Sequence, residues 1–308
     1  MIECVANLSE GCDAAAVAEM AAALRSTGAA LLDVHSDCDH NRSVFTFVGV
    51  APAAERGAVS LAREAMARID LRRQRGVHPR IGALDVVPFV PLGDSTMDEC
   101  VRTARRVGAA IALETGIPVF LYGQAASDPA RSSLAVLRRG GVEGLSERIG
   151  RAGWVPDFGP PQLHPSAGAT AVGARPLLVA YNVCLETRDL SVGRRIARAT
   201  RAANGGPTGV QALAFLLASQ DRVQVSMNLT DVESTSVPEA LGWVKKLASE
   251  EGVRVASSEI VGVAPRRALA DASTEDLRLR DPLEGHILEV RMETAWGSAS
   301  QSTMSSGC

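Results

Sequence analysis

The chain has 308 residues, 46% of them hydrophobic and 22% charged, with a formal net charge of −3. That length buries a sizeable core and corresponds to about two lobes of roughly 150 residues each. The charge balance excludes the basic footprint of a nucleic-acid binder, even though Lys245 and Lys246 are the only lysines among the 32 cationic side chains.

The opening MIECVANLSEGCD lacks the basic start and apolar run of a signal peptide, and no window approaches the roughly 18 apolar residues of a membrane span. No membrane partner is expected. Cys4, Cys12, Cys38, Cys100, Cys184 and Cys308 contain no C-x-x-C pair, so neither a zinc ribbon nor a dense disulfide framework is indicated, and a reducing cytoplasm fits best.

In chain order, IECVANLS reads as a strand, AAAVAEMAAALRST as an alanine-rich helix, and ALLDVHSD with SVFTFVGV as two strands around a polar turn. AERGAVSLAREAMARI follows as a helix, GALDVVPFVPL as a strand, TMDECVRTARRVGAAIALET as a long helix and PVFLYGQA as a strand. The 23-residue run from Trp154 to Pro176 is rich in proline and glycine and reads as a linker or a binding loop.

Beyond it the pattern repeats. LLVAYNVCLE, SVGRRIARATRAA, VQALAFLLAS, VQVSMNLTD, VPEALGWVKKLASEEG and VRVASSEIVG spell β-α-β-β-α-β, the order of a split βαβ, ferredoxin-like unit. Ser191 is the expected N-cap of the first of these helices, Pro238 stands near the start of the second and Gly252 follows its end. The fold class is therefore α/β (α+β), with two ferredoxin-like βαββαβ-type subdomains whose mixed sheets are covered by helices. The expected division is 1–175, 176–293, and a disordered small polar tail over 294–308.

Three stretches carry chemistry. In HPRIGALD, Pro79 holds His78 extended while Gly82 permits a tight entry into the strand, a setting that suits a fixed imidazole able to accept a proton near neutral pH. A histidine that only bonds a loop carbonyl fits the same position. In DVHSDCDHNRS, period two puts Asp33, His35, Asp37 and Asp39 on one side of a strand, with Ser36, Cys38 and His40 on the other. Histidine with carboxylates suits a metal, yet the same residues suit a hairpin turn between apolar strands. Finally, DFGPPQLHPSAGATAVGAR has neither G-x-G-x-x-G nor G-K-[ST], which makes it a weak nucleotide cradle but a loop open to close approach by a planar ligand.

Taken together, ECVANLSEG, LLDVHSD with HNRSVFTFVG, HPRIGALDVVPFVP, TMDEC, PVFLYGQA, PDFGP, GATAVGAR, QVSMNLTD and SEIVGVAP keep a common order from about residue 2 to residue 270 and resemble the glutamate formiminotransferase family. The resemblance implies two α/β subdomains with folate in a groove between them. It also implies a cytoplasmic, homodimeric enzyme of histidine degradation that moves the formimino group of N-formimino-L-glutamate to N5 of tetrahydrofolate, releasing L-glutamate. Tetrahydrofolate is then a co-substrate and no metal is required. His78 matches the catalytic histidine of the family motif, with the role of general base.

Gly159, Pro160, Pro161, Gln162, Leu163, His164, Pro165, Ser166, Ala167 and Gly168 match the folate-binding stretch, His164 in a variable part of it. His35, Asp37, Arg42 and Arg80 are expected in the active-site wall, with Arg42 or Arg80 forking a glutamate carboxylate and His35, Asp33 or Asp37 orienting His78. The resemblance is to a stand-alone form, because 308 residues leave no room for the cyclodeaminase domain fused in some relatives. Formyl transfer from 5-formyltetrahydrofolate, folate binding without turnover and a metal-dependent hydrolase built on His35 are the competing readings.

Overall fold

The computed structural model describes residues 1–304, with side chains to residue 296. Two compact units, Met1–Pro176 and Leu177–Cys308, divide the chain.

The first unit begins with β1 (Ile2–Leu8), α1 (Ala14–Arg25), β2 (Ala30–Asp37), β3 (Arg42–Gly49), α2 (Ala51–Arg68) and β4 (Leu84–Pro91). It continues with α3 (Met97–Thr115), β5 (Val119–Gly123), the short α4 (Leu134–Leu137), α5 (Gly141–Arg148) and β6 (Thr170–Ala174). The strands form one sheet in the order β2-β3-β1-β4-β6-β5. Its first four are antiparallel and trace the ferredoxin-like order, while β5 and β6 extend the sheet in parallel.

Alternation decides the faces. Ile2, Cys4, Ala6 and Leu8 of β1 join Phe45 and Phe47 of β3, Val87 and Phe89 of β4, and the apolar sides of α1, α2 and α3 in one core. Glu3, Val5, Asn7, Arg42 and Thr46 therefore stand on the opposite face, as do Asp33, His35 and Asp37, whose strand partners are Thr46, Val44 and Arg42. At the β5–β6 end this second face is covered by Ile81, Leu137 and Leu145, packed with Trp154 and Leu163. The long α3 starts as its sequence predicts: Thr96 and Glu99 close a capping box, and Gly116 ends the helix at φ 69°.

β6 differs from expectation, since it arises inside the segment read as linker or binding loop. TAVGA is short, small and glycine-bearing, so propensity conceals it. Tertiary pairing between β4 and β5 makes it a strand. Gly82 has a different task from the turn read for it: a Cβ there would overlap the Ala169 carbonyl oxygen, so close approach of the segment entering β6 demands the glycine.

The second unit comprises β7 (Val179–Leu185), α6 (Leu190–Thr200), β8 (Val210–Leu217), β9 (Arg222–Leu229), α7 (Val237–Glu250), β10 (Val255–Val261), the short α8 (Thr274–Leu277) and α9 (Leu288–Met304). Its sheet has the order β10-β7-β9-β8, antiparallel throughout. Asp189, rather than Ser191, caps α6: its carboxylate accepts from the Ser191 backbone N–H. Ser236 and Glu239 form a capping box on α7, with Pro238 in its first turn. The tail segment from Thr294 falls partly in α9, and residues 305–308 lie outside the described residues. Among the described residues no helix is long and apolar enough to cross a membrane.

Cys12 and Cys38, unpaired in the sequence reading, are joined in a disulfide with Cα atoms 4.7 Å apart. It ties the segment after β1 to the β2–β3 turn. Cys4, Cys100 and Cys184 are free and buried.

Candidate active site

The polar residues of the first unit converge where β1 ends, β3 begins and the loop from Asp70 to Gly82 enters β4. The β2–β3 turn holds that loop through backbone polar groups: Val77 N–H donates to Asp39 O at 3.1 Å, Gln74 Nε2 to Asn41 O at 2.8 Å, and Asn41 Nδ2 to Arg75 O at 2.7 Å. Asn41 makes the turn at φ 46°, which asparagine tolerates. At Gly76 any Cβ would overlap the His40 carbonyl oxygen, so this glycine lets loop and turn meet. Leu71 N–H donates to Ser166 O at 2.8 Å, which fixes the other end of the loop.

His78 is thereby set near the start of β3, half-buried. Its Nδ1 lies 2.9 Å from Arg42 Nη1 and 2.8 Å from Pro79 O. The His40 ring stands 5.9 Å away between centroids, tilted by 59°. Arg42 reaches Asn7 Oδ1 with its other terminal nitrogen and approaches Asp85 Oδ2 at 3.6 Å. Asp85 is buried, accepts from Ile81 N–H at 2.8 Å and is paired with Arg138, which caps the C-terminus of α4.

One buried carboxylate thus serves two guanidiniums, and the pair of cations acts on the imidazole. Burial first, then the Arg42 and Arg138 charges, hold the His78 imidazolium well below its ordinary range, against a small opposing contribution from Pro79 O. The ring is neutral at physiological pH. Burial and the Arg138 charge bring Arg42 down to about 9, with Asp85 opposing, and it stays a cation at neutral pH.

Of the residues singled out in the sequence, His78 and Arg42 meet directly. Asp37 accepts from His40 N–H at 2.7 Å and so holds the turn, while His35 stands two residues earlier on the same face of β2. Arg80 donates to Gln74 O at 2.9 Å within the His78 loop. Among the described residues no group of three His, Cys, Asp or Glu side chains could hold a metal ion, the Asp33–His35–Asp37 row included. Asn7, Asp85 and Arg138 were not singled out, and His40 was read only as lying opposite the Asp33–His35–Asp37 row. Asp85 lies inside the quoted HPRIGALD, whereas nothing near Arg138 in AVLRRGG marks it, since α4 brings it in from 53 residues away.

Residues 1–175 match the family profile described as formiminotransferase domain, N-terminal subdomain, and residues 180–279 that described as formiminotransferase domain. The chain belongs to the formiminotransferase family. It is 45% identical over 298 residues to glutamate formimidoyltransferase of Thermoplasma acidophilum, covering 96% of this chain and 98% of the relative. It is 40% identical to that of Streptococcus pyogenes serotype M1, over 94% and 99% of the two chains. The formimidoyltransferase-cyclodeaminase of Gallus gallus is 40% identical over 89% of this chain but only 52% of its own length.

Residues 159–168, the stretch expected to bind folate, are pinned to the His78 loop. His164 Nδ1 accepts from Ala167 N–H at 3.1 Å, and the backbones of His164 and Gly168 pair in both directions at 2.9 Å. Gly168, at φ 69°, abuts the Ile81 carbonyl, where any Cβ would overlap it. Leu163 packs inward, while Gly159, Pro161, Gln162 and Pro165 are exposed.

Proposed function

We propose that this chain transfers the formimino group of N-formimino-L-glutamate to N5 of tetrahydrofolate, with His78 as the general base. The observation that supports the reading is an imidazole held against Arg42, with Arg42 and Arg138 both facing the buried Asp85. The N5 lone pair forms a bond to the formimino carbon, and the C=N π pair moves to the imino nitrogen. His78 takes the proton that N5 sheds. The pair on the imino nitrogen then re-forms the C=N bond as the bond from carbon to the glutamate nitrogen breaks; the electron pair of the broken bond stays on the glutamate nitrogen, which receives the proton back from the imidazolium. The products are 5-formiminotetrahydrofolate and L-glutamate, with no net change in protons and no covalent enzyme intermediate.

Arg42 supplies the fork for a substrate carboxylate, and Arg138 holds the field that keeps the imidazole unprotonated. His35, Asp37 and Arg80 belong to the wall around this centre. The exposed part of residues 159–168 contacts the folate. Placement of two substrates in register supplies much of the rate, since effective molarities reach about 10⁵ M or more. Residues 1–175 form the subdomain that carries the base and 176–293 the second. A cytoplasmic homodimer accompanies this reading.

The test is turnover of N-formimino-L-glutamate with tetrahydrofolate by wild type and His78→Ala, after both are found to bind folate equally. The variant should lose at least about 10² in kcat, the scale of a general base. Folate binding with no wild-type turnover refutes formimino transfer, and 5-formyltetrahydrofolate with L-glutamate is then the substrate pair to measure.

A further inference from the structure

His78 Nδ1 is approached by two groups with opposite demands. Arg42 Nη1, at 2.9 Å, only donates, and Pro79 O, at 2.8 Å, only accepts. A neutral imidazole has one N–H and one lone pair, so Nδ1 satisfies one of these neighbours at a time. If it accepts from Arg42, the ring hydrogen is on Nε2, and no basic lone pair is left there for an attacking nucleophile. If instead Nδ1–H donates to Pro79 O, Nε2 is the base, and the Arg42 N–H faces another N–H.

In that second state Arg42 needs a new acceptor. Asp85 Oδ2 stands 3.6 Å from Arg42 Nη1, too far for a good hydrogen bond, and it already takes the Arg138 guanidinium. Asn7 Oδ1 already holds the other terminal nitrogen of Arg42. An incoming carboxylate is the acceptor that fits: it offers two oxygens to a guanidinium whose side chain is 18% exposed.

We propose that Arg42 gates the tautomer of His78: a substrate carboxylate draws the Arg42 guanidinium off Nδ1, the ring hydrogen settles on Nδ1 toward Pro79 O, and the lone pair is left on Nε2. This rests on the formimino-transfer reading, in which His78 is the base. One proton leaves Nε2 and one arrives at Nδ1 through solvent, so the ring stays neutral. The base is thus switched on only once the donor substrate is in place. Arg42 acts here as a positioning residue for the imidazole as well as a carboxylate ligand.

The experiment is a long-range ¹H–¹⁵N spectrum of the full chain with ¹⁵N-labelled histidine, His78 being assigned by the signal lost in His78→Asn. Spectra are taken alone, with N-formimino-L-glutamate at about ten times its KM, and with that donor plus 5-formyltetrahydrofolate, whose N5 is blocked. The unliganded ring should be the Nε2–H tautomer, and the Nδ1 and Nε2 shifts should exchange places when donor is bound. Arg42→Met should give the Nδ1–H tautomer without any donor.

Turnover with a tautomer that is the same in all three samples overturns the gate and leaves the transfer reading standing. Absence of turnover overturns both. The wild-type spectra carry the test even if Arg42→Met fails to fold.

Discussion

The two units repeat one strand order, yet each treats a carboxylate on the sheet face away from its helices differently. In the second unit Glu259 accepts from Asn182 Nδ2 at 2.8 Å and Gln224 Nε2 at 3.0 Å, two neutral amides. In the first, Asp85 at the mouth of β4 is shared by the guanidiniums of Arg42 and Arg138. Neutral amides satisfy an anion and leave its charge in place. Two guanidiniums around one carboxylate leave a cationic excess, which adds to burial in holding the His78 imidazolium down and leaves Arg42 able to take an anion. The same topology thus carries a neutral polar cluster in one case and a cationic cluster around a histidine in the other, through the choice of partner.

Removing Asp85 probes that difference hardest. Asp85→Ala leaves two largely buried guanidiniums without their common anion and should cost about 3–5 kcal/mol in urea unfolding, with turnover lost as well. Glu259→Gln keeps an acceptor for both amides and should cost about 1 kcal/mol or less. Equal losses would mean that the two carboxylates play the same structural part.

Next in size is the Cys12–Cys38 bridge, which fastens the turn carrying His40 and Arg42 and closes a separation of 26 residues. Cys12→Ser/Cys38→Ser should lower the stability of the first unit by about 3 kcal/mol in protein prepared without reductant. Reduced wild type should match the variant. In a Trp243→Phe/Trp296→Phe background, fluorescence of Trp154, the tryptophan of the first unit, reports this.

Glu3 sharpens the comparison from the other side, as a buried carboxylate with too little compensation. Burial raises it from 4.5 to about 7, with the Arg175 charge opposing. Between those values the unfolded chain has released the proton and the folded chain still binds it. Stability therefore falls as pH rises from about 4.5 to about 7 and levels off above. Glu3→Gln should match wild type near pH 4 and exceed it by up to about 3 kcal/mol at pH 8, measured by urea unfolding at both. A difference that does not vary with pH would place the ionised form in the folded state.

Much of this architecture was legible along the chain. The alternation of IECVANL and RSVFTFVG and the TMDEC start of α3 are local signals that report their own environment, and the repeated βαββαβ order follows from them. HPRIGALD marked His78, and its family resemblance named a role. β6 was hidden because TAVGA has weak strand propensity and is made a strand by β4 and β5 on either side. Likewise Ser191 was the cap read from the sequence, and backbone geometry places Asp189 in that role instead.

By itself the sequence determined the two-unit α/β organisation, the polar row on β2 and the histidine before a proline, because periodicity and backbone restriction act over a few residues. Tertiary structure alone decided that Arg42 meets that histidine, with Asn7, Asp85 and Arg138 arranged around the guanidinium, and that Cys12 meets Cys38. Those residues come from separate stretches of the chain, and their charges interact through space, with strengths set by burial and distance that no local pattern encodes.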